Sequence, residues 1–297
     1  MITGYCAFYF PYITRKEEIL KNTVLVWRAD GDRIYTKKDA GKNIQKNMVV
    51  GTGYRSIGEA AFCGNIKLRN LDLNEQVREI QRNAFLNCTS VKKIYMPGVQ
   101  KIRQNAFSGC VNLQGAELTK KMLVMERNAF SGCKRLTRVQ LSRESRQKKI
   151  EDETFRECSS LNSVEMPDEI IEIGRNAFYK CTDLESFFFP KSLRKIGEEA
   201  FYQAGLQEIE LPDDLEEIGP SAFLKCRKLE YVRIPQNLKI IGKWAFHGCD
   251  RLKVLEIAHD PEKIGEWIVN RSTHIRCHKG SRMDRYCQEN GFQTEYF

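Results

Sequence analysis

Residues 173–201 read IGRNAFYKCTDLESFFFPKSLRKIGEEAF. The stretch ends as it begins: Ile, Gly, two residues, Ala, Phe. Placing the first residue of each such unit gives Ile57, Ile80, Ile102, Met125, Ile150, Ile173, Ile196, Ile218, Ile241 and Ile264. The steps between them run only from 22 to 25 residues. A fixed period in that range marks a solenoid, in which each unit buries its apolar face against its neighbours.

The pattern inside the unit predicts how a coil is built. About eleven residues after each anchor comes an L-x-x-I-x-L segment, such as LRNLDL, LESFFF, LQEIEL and LEYVRI. Its period-two alternation predicts a short strand. The same strand in every coil must stack in parallel, about 4.8 Å from the next. Pro97, Pro167, Pro190, Pro212 and Pro235 follow these segments, where a residue without an N–H turns the chain out of the sheet. A second apolar pair, such as Leu193 with Ile196, predicts a shorter strand on another face. The AFxxC step fits a single helical turn.

The repeated columns predict the core. Phe62, Phe85, Phe107, Phe130, Phe155, Phe178, Phe201, Phe223 and Phe246 form an unbroken ladder, preceded by Ala in every coil but one, where Thr154 stands. Each buried ring contributes on the order of 1.5–3 kcal/mol before entropy is counted. Glycine follows the anchor in six units, but Gln81, Arg103, Glu126 and Glu151 replace it elsewhere, so no strict φ > 0 requirement is expected there. Seven cysteines (Cys88, Cys110, Cys133, Cys158, Cys181, Cys226, Cys249) lie three residues after the ladder Phe. They read as small buried spacers, because free Cys is among the most buried residue types. Asn65 and Ala204 hold the same place in other coils.

The full unit, L-x-x-I-x-L-P-x-x-L-x-x-I-G-x-x-A-F-x-x-C, resembles the BspA-type leucine-rich repeat. LNSVEMPDEIIEIGRNAFYKC and LEYVRIPQNLKIIGKWAFHGC are close copies. The resemblance runs from about residue 57 to the end, where IRCHKGSRMDRYCQENGF is similar to the segment that follows the last repeat in that family. It implies an α/β repeat fold: a leucine-rich-repeat solenoid of about ten coils, with stacked short strands, one short helical turn per coil and a C-terminal capping helix. It also implies binding of host proteins or other cells. Loss of the Pro after LRNLDL, LQGAEL and LTRVQL departs from the pattern and predicts irregular coils there.

The expected organisation is an N-terminal cap over residues 1–33, a solenoid over 34–274 with a degenerate first coil, and a C-terminal cap over 275–297. In the first cap EEILKN predicts a short helix, and VLVWRADGDRIYT a hairpin about Asp30–Gly31. In the last, Ser281 predicts the N-cap of a helix over 282–290, with Gly291 just past its end. Met283, Tyr286 and Cys287 are spaced to face the last coil. No linker divides these parts, so one continuous domain is expected.

Net charge is +9, from 48 basic and 39 acidic residues. Residues 1–56 supply 10 basic and 5 acidic groups. No nucleic-acid-binding motif accompanies that charge, and it reads as ordinary surface. No apolar run approaches the roughly 18 residues of a membrane span. The start MITGYCAFYFPYITRKEE lacks the layout of a secretion signal, so a cytoplasmic location is expected of the chain as written, and a cell-surface or secreted one if it is a fragment of an exported protein. The charge run SRESRQKKIEDE, residues 142–153, falls in the one 25-residue unit and predicts an exposed bulge.

Motifs for catalysis are lacking: no GxSxG, phosphate loop or dinucleotide fingerprint occurs, and no cofactor is implied. His274, Cys277, His278 and Cys287 carry metal-ligand chemistry, but their spacing matches no familiar zinc site. They supply the alternative reading of a metal-dependent or hydrolytic enzyme. The favoured reading rests on the outward row of the strands: Asp72, Tyr95, Glu117, Gln140, Glu165, Phe188, Glu210, Arg233 and Glu256, with Tyr231 nearby. Acidic groups take every second place, which keeps like charges from being direct neighbours. Aromatic and arginine side chains are the usual anchors of interfaces. The expectation is a non-catalytic interaction module that binds a protein, or a glycan, on this strip. A self-associating cytoplasmic scaffold is the remaining alternative.

Overall fold

The computed structural model describes residues 23–26, 33–43, 45–118, 122–141, 145 and 147–297. All strand pairs in it are parallel and join each coil to the next. The long-strand face forms a seven-stranded sheet ending at Ser163–Glu165 and a four-stranded sheet beginning at Tyr231–Ile234. The opposite face carries shorter strands, such as Glu79–Ile80 and Lys195–Ile196, in a five-stranded and a six-stranded sheet. The expected solenoid and its second, shorter strand are therefore both present.

The Phe column stacks through the whole core. Neighbouring rings from Phe62 to Phe246 lie 4.9–5.9 Å apart and within 19° of parallel. Stacked aromatic pairs add about 0.5–1.5 kcal/mol each beyond the area they bury. The widest spacing, 5.9 Å between Phe130 and Phe155, falls at the 25-residue unit. Tyr35 extends the ladder at its N-terminal end, 5.3 Å from Phe62 and nearly parallel to it. Spacing gave no hint of this, because Tyr35 occupies the place of the Ile anchor, in a strand that pairs it with Ile57.

The AFxxC step is a run of turns rather than a helix. Asn83 and Asn87 both have φ of 58°, in the left-handed region, which ends any helix as it starts. Backbone donors alternate along the run. Asn83, Phe85 and Asn87 donate to Gln104, Ala106 and Ser108 of the next coil at 2.7–3.0 Å. Ala84, Leu86 and Cys88, between them, donate three residues back within their own coil. The turn edge is thus a third hydrogen-bonded seam. Asn at 83, 105, 128 and 176 and Gly at 64, 109, 132 and 248 serve these positions; both types tolerate positive φ. The repeated Asn was the sequence signal for it. The glycine after the anchor has a different cause. A Cβ on Gly242 would lie 2.3 Å from the backbone N of Pro220 in the preceding coil. Where Gln81 and Glu126 stand instead, their side chains accept from the backbone N–H of Glu59 and Gln104 at 3.0 and 2.9 Å.

The seven column cysteines are buried free thiols with a shared role. Each Sγ donates to the carbonyl of the ladder Phe one coil earlier, at 2.9–3.2 Å. That oxygen also accepts the N–H three residues on in its own coil. The column is therefore a line of weak donors aimed at a buried acceptor.

At the C-terminus the helix spans Arg282–Asn290. Ser281 accepts from Asp284 N at 3.1 Å and Gly291 takes φ of 68°, as expected. The last coil adds a second cap: Asp260 accepts from the N–H groups of Arg282 and Met283 at 3.1 and 3.0 Å. Met283 and Cys287 are buried, and Tyr286 donates its hydroxyl to Gly265 O at 2.9 Å. A further strand, Gln293–Tyr296, then closes the four-stranded sheet.

Several local expectations are corrected. Thr23–Val26 joins the long-strand sheet, while Arg33–Tyr35 joins the short-strand sheet. They do not form a hairpin, since each finds its partner in the coil that follows. The helix expected over EEILKN lies outside the described residues. A helix over Lys37–Asn43 was not expected, although Thr36 and Asp39 bond reciprocally at its start in the manner of a capping box. Within the 142–153 charge run, Ser145 and Gln147 are buried. Gln147 donates to Met125 O at 3.1 Å, bridging the place where the two short-strand sheets part.

The coils that lack Pro keep their strands, although pairing between 115–117 and 138–140 shrinks to one residue pair. The break falls elsewhere. Residues 184–189 and 206–211 form no strand, and both coils retain their Pro. Two features explain it. From Phe201 to Leu206 the chain is one residue shorter than from Phe178 to Leu184. Phe187 and Phe189 also place rings where other coils have aliphatic chains, packing edge-on against Phe201 at 4.9 and 5.5 Å.

Truncation of Phe201 to Ala should lower unfolding free energy by about 3–5 kcal/mol, read from urea denaturation. Replacing Glu199, a non-glycine residue at φ of 53°, by Gly should instead stabilise by up to about 1 kcal/mol. A loss on Glu199→Gly would contradict the strain assigned to that column.

Candidate functional site: the long-strand face

Alternation along the strands aims every second side chain outward. Tyr95 is 51% exposed, Phe188 84% and Tyr231 46%. The positions of the expected row fall on the strands of this face and on the strandless coils between them, and not on one ribbon. Asp72 and Tyr95 are register partners in neighbouring strands of the seven-stranded sheet, and Asp72 is half-buried. Glu117 belongs to the same sheet. Gln140 donates to Glu165 Oε2 at 2.8 Å, and Arg138 forms an ion pair with that carboxylate.

Phe188 and Glu210 belong to the two coils without strands, so they stand in the gap between the sheets. Beside them Lys228 reaches Glu185, two coils away, at 2.6 Å. That hydrogen bond holds the Glu185 carboxyl below its ordinary range.

Beyond the gap Glu256 is the hub of a cluster. Its side chain is mostly buried, and accepts from Tyr231 Oη at 2.9 Å. Arg233 and Arg276 each approach it at 3.4 Å, and Arg276 also holds Glu295 at 2.9 Å. Burial and the bond to Glu256 push the Tyr231 phenol up. Arg233, a member of the expected row, pairs with Glu256, its register partner, while its side chain stays 74% exposed.

The short-strand face contrasts with this one. Lys149, Glu172, Lys195 and Glu217 face one another in consecutive strands. Lys149–Glu172 and Lys195–Glu217 close at 3.1 and 3.0 Å. These two pairs tie their charges between coils. A shallow depression is lined by Arg194, Asp214, Glu216, Asn237 and Lys239. Glu216 accepts from both Arg194 and Lys239 there, at 3.0 and 2.7 Å, which leaves its carboxylate already committed.

Of the C-terminal histidines and cysteines, Cys277 and Cys287 meet side chain to side chain. Among the described residues no group of three or more His, Cys, Asp or Glu side chains is placed to hold a metal ion. Cys277 and Cys287 are buried, and desolvation pushes both thiols up, Cys287 to about 12. Among the described residues no helix is long and apolar enough to cross a membrane.

A model of the BspA type leucine rich repeat region matches residues 40–147 and 148–276 in six copies. The chain belongs to this leucine-rich-repeat family, whose solenoid fold is typically non-catalytic. A leucine-rich repeat protein from Bacteroides ovatus is similar over 82% of this chain and 65% of its own, at 26% identity and a TM-score of 0.70. The present chain thus spans just under two thirds of that relative. A leucine-rich cell surface protein from Faecalibacterium prausnitzii shares the fold over 93% of this chain and 91% of its own, at 21% identity and a TM-score of 0.51. The pneumococcal vaccine antigen PcpA does so over 92% and 84%, at 18% identity and a TM-score of 0.51. No curated protein matches the chain.

Thiol burial gives a direct check. Alkylation of the native protein should label Cys63, which is exposed, and spare the seven column cysteines until denaturant is added. Peptide mapping that finds column cysteines labelled without denaturant would contradict the packing. At the cap, the Gly280 N–H and the Tyr296 and Gln288 donors hold the Asp284 carboxyl below its usual range. A depressed carboxyl contributes stability above its unfolded pKa, near 3.9, and loses it as pH falls through the folded value. Asp284→Asn should flatten the acid limb of a pH–melting profile; an unchanged limb would count against that role.

Proposed function

We propose that the chain is a non-catalytic interaction module that binds a protein on its long-strand face, with Tyr95, Phe188 and Tyr231 as anchors. Asp72, Glu117, Gln140, Glu165, Glu210, Arg233 and Glu256 form the polar setting around them. The supporting observation is the exposure of three large aromatic side chains on one face, beside the buried core residues Ile94, Phe187 and Val232. Exposed aromatic groups on a rigid scaffold lose little entropy on binding and bury large areas. The opposite face, by contrast, carries charge pairs between coils.

A glycan is the second candidate ligand, because sugar rings also pack on exposed aromatics. The relatives' fold is compatible with an adhesion role, and such a role would place the protein at a cell surface. The Arg282–Asn290 helix would then cover the last coil.

Partner capture followed by calorimetry tests the reading. Tyr95→Ala, Phe188→Ala and Tyr231→Ala should each weaken the captured partner about tenfold or more, at unchanged melting temperature. Affinity that survives the triple variant in a folded protein would remove this face as the binding site.

A further inference from the structure

We propose that the gap in the long-strand face, centred on Phe188, docks a basic protein segment that carries one apolar side chain. The inference rests on the reading of this face as the binding face and specifies the chemistry of the partner.

Three observations meet at the gap. Phe188 is the most exposed large apolar side chain among the described residues, at 84%. It lies where the seven-stranded and four-stranded sheets part, on a coil whose Phe187, Phe188 and Phe189 N–H groups make no backbone hydrogen bond to a described residue.

The charge around the ring selects the occupant. Glu185 shares its coil, Glu208 and Glu210 lie on the next, and Glu230 on the one after; all are exposed. Glu208, Glu210 and Glu230 form no ion pair with a described residue, and only Glu185 is neutralised, by Lys228. Elsewhere on the same face Glu165 and Glu256 are paired with arginines. The chain as a whole carries +9, so a negative island is set in a positive molecule. Unpaired like charges on adjacent coils repel one another, and lysine or arginine side chains from a partner relieve that repulsion. An apolar residue between them covers Phe188. An acidic peptide and a nucleic acid both carry the wrong sign.

The test uses the full chain and a synthetic amidated peptide of lysine and arginine with a central leucine. Its leucine-to-serine and all-glutamate analogues serve as controls. Calorimetry should show one-to-one binding that weakens with salt and falls about tenfold with the serine analogue. It should fall similarly in Phe188→Ser and in the pair Glu208→Gln, Glu210→Gln. Melting curves establish that these surface variants fold. Binding that ignores both variants, or equal binding of the glutamate peptide, overturns the proposal. So does a concentration-dependent dimer abolished by Phe188→Ser, which would make a second copy the occupant. The two readings fail separately. A captured partner that depends on Tyr95 and Tyr231 but not on Phe188 or the glutamates keeps the face and removes the basic-segment inference.

Discussion

Each coil depends on the backbone groups it shares with the next, and the turn edge is where that dependence is strictest. The N–H of every ladder Phe donates to the carbonyl of the residue just before the next ladder position, at 2.7–2.9 Å. The carbonyl of most ladder residues takes a cysteine thiol in return. Buried backbone groups cannot be left unpaired without a cost of about 1–3 kcal/mol each, so this seam fixes the coil spacing near the ring-stacking distance. Much follows from that spacing: small residues beside the rings, free thiols in a column, glycine where one coil presses on another. The ion pairs between coils are largely solvent-exposed and contribute about 0–1 kcal/mol each. They set register more than they hold the stack together.

Much of this was legible in the residues. Phe62 to Phe246 at a near-constant step defined the core, and Leu193 with Ile196 defined the second face. Ser281 and Gly291 marked the ends of the closing helix. What the pattern hid was conformational. Asn83 and Asn87 repeat at fixed places, but an AFxxC run suits a helical turn equally well until their positive φ is known. Asp30–Gly31 suits a hairpin, yet stacking on the following coils decides where Thr23–Val26 and Arg33–Tyr35 pair. Local turn preference is worth less than a full strand of partners.

The candidate site was legible by row but not by geometry. Alternation alone put Tyr95, Phe188 and Tyr231 outside. It could not show that Glu256 would hold Tyr231, Arg233 and Arg276 together, because His274–Cys277 enters the sheet after a last, atypical coil. Nor could it show the gap. LESFFF and LQEIEL look like ordinary strands, but with one residue deleted and two extra rings packed beneath them neither forms a strand. The long-strand face is therefore two sheets separated by two strandless coils, and the most exposed aromatic side chain among the described residues stands on the first of these coils.

Residue-resolved amide hydrogen exchange on the intact chain tests this arrangement most directly. The account predicts slow exchange at Phe85, Phe107, Phe178 and Phe223, whose N–H groups cross between coils, and fast exchange at Phe187, Phe188 and Phe189. Uniform protection through 184–211, or rapid exchange along the turn edge, would contradict it.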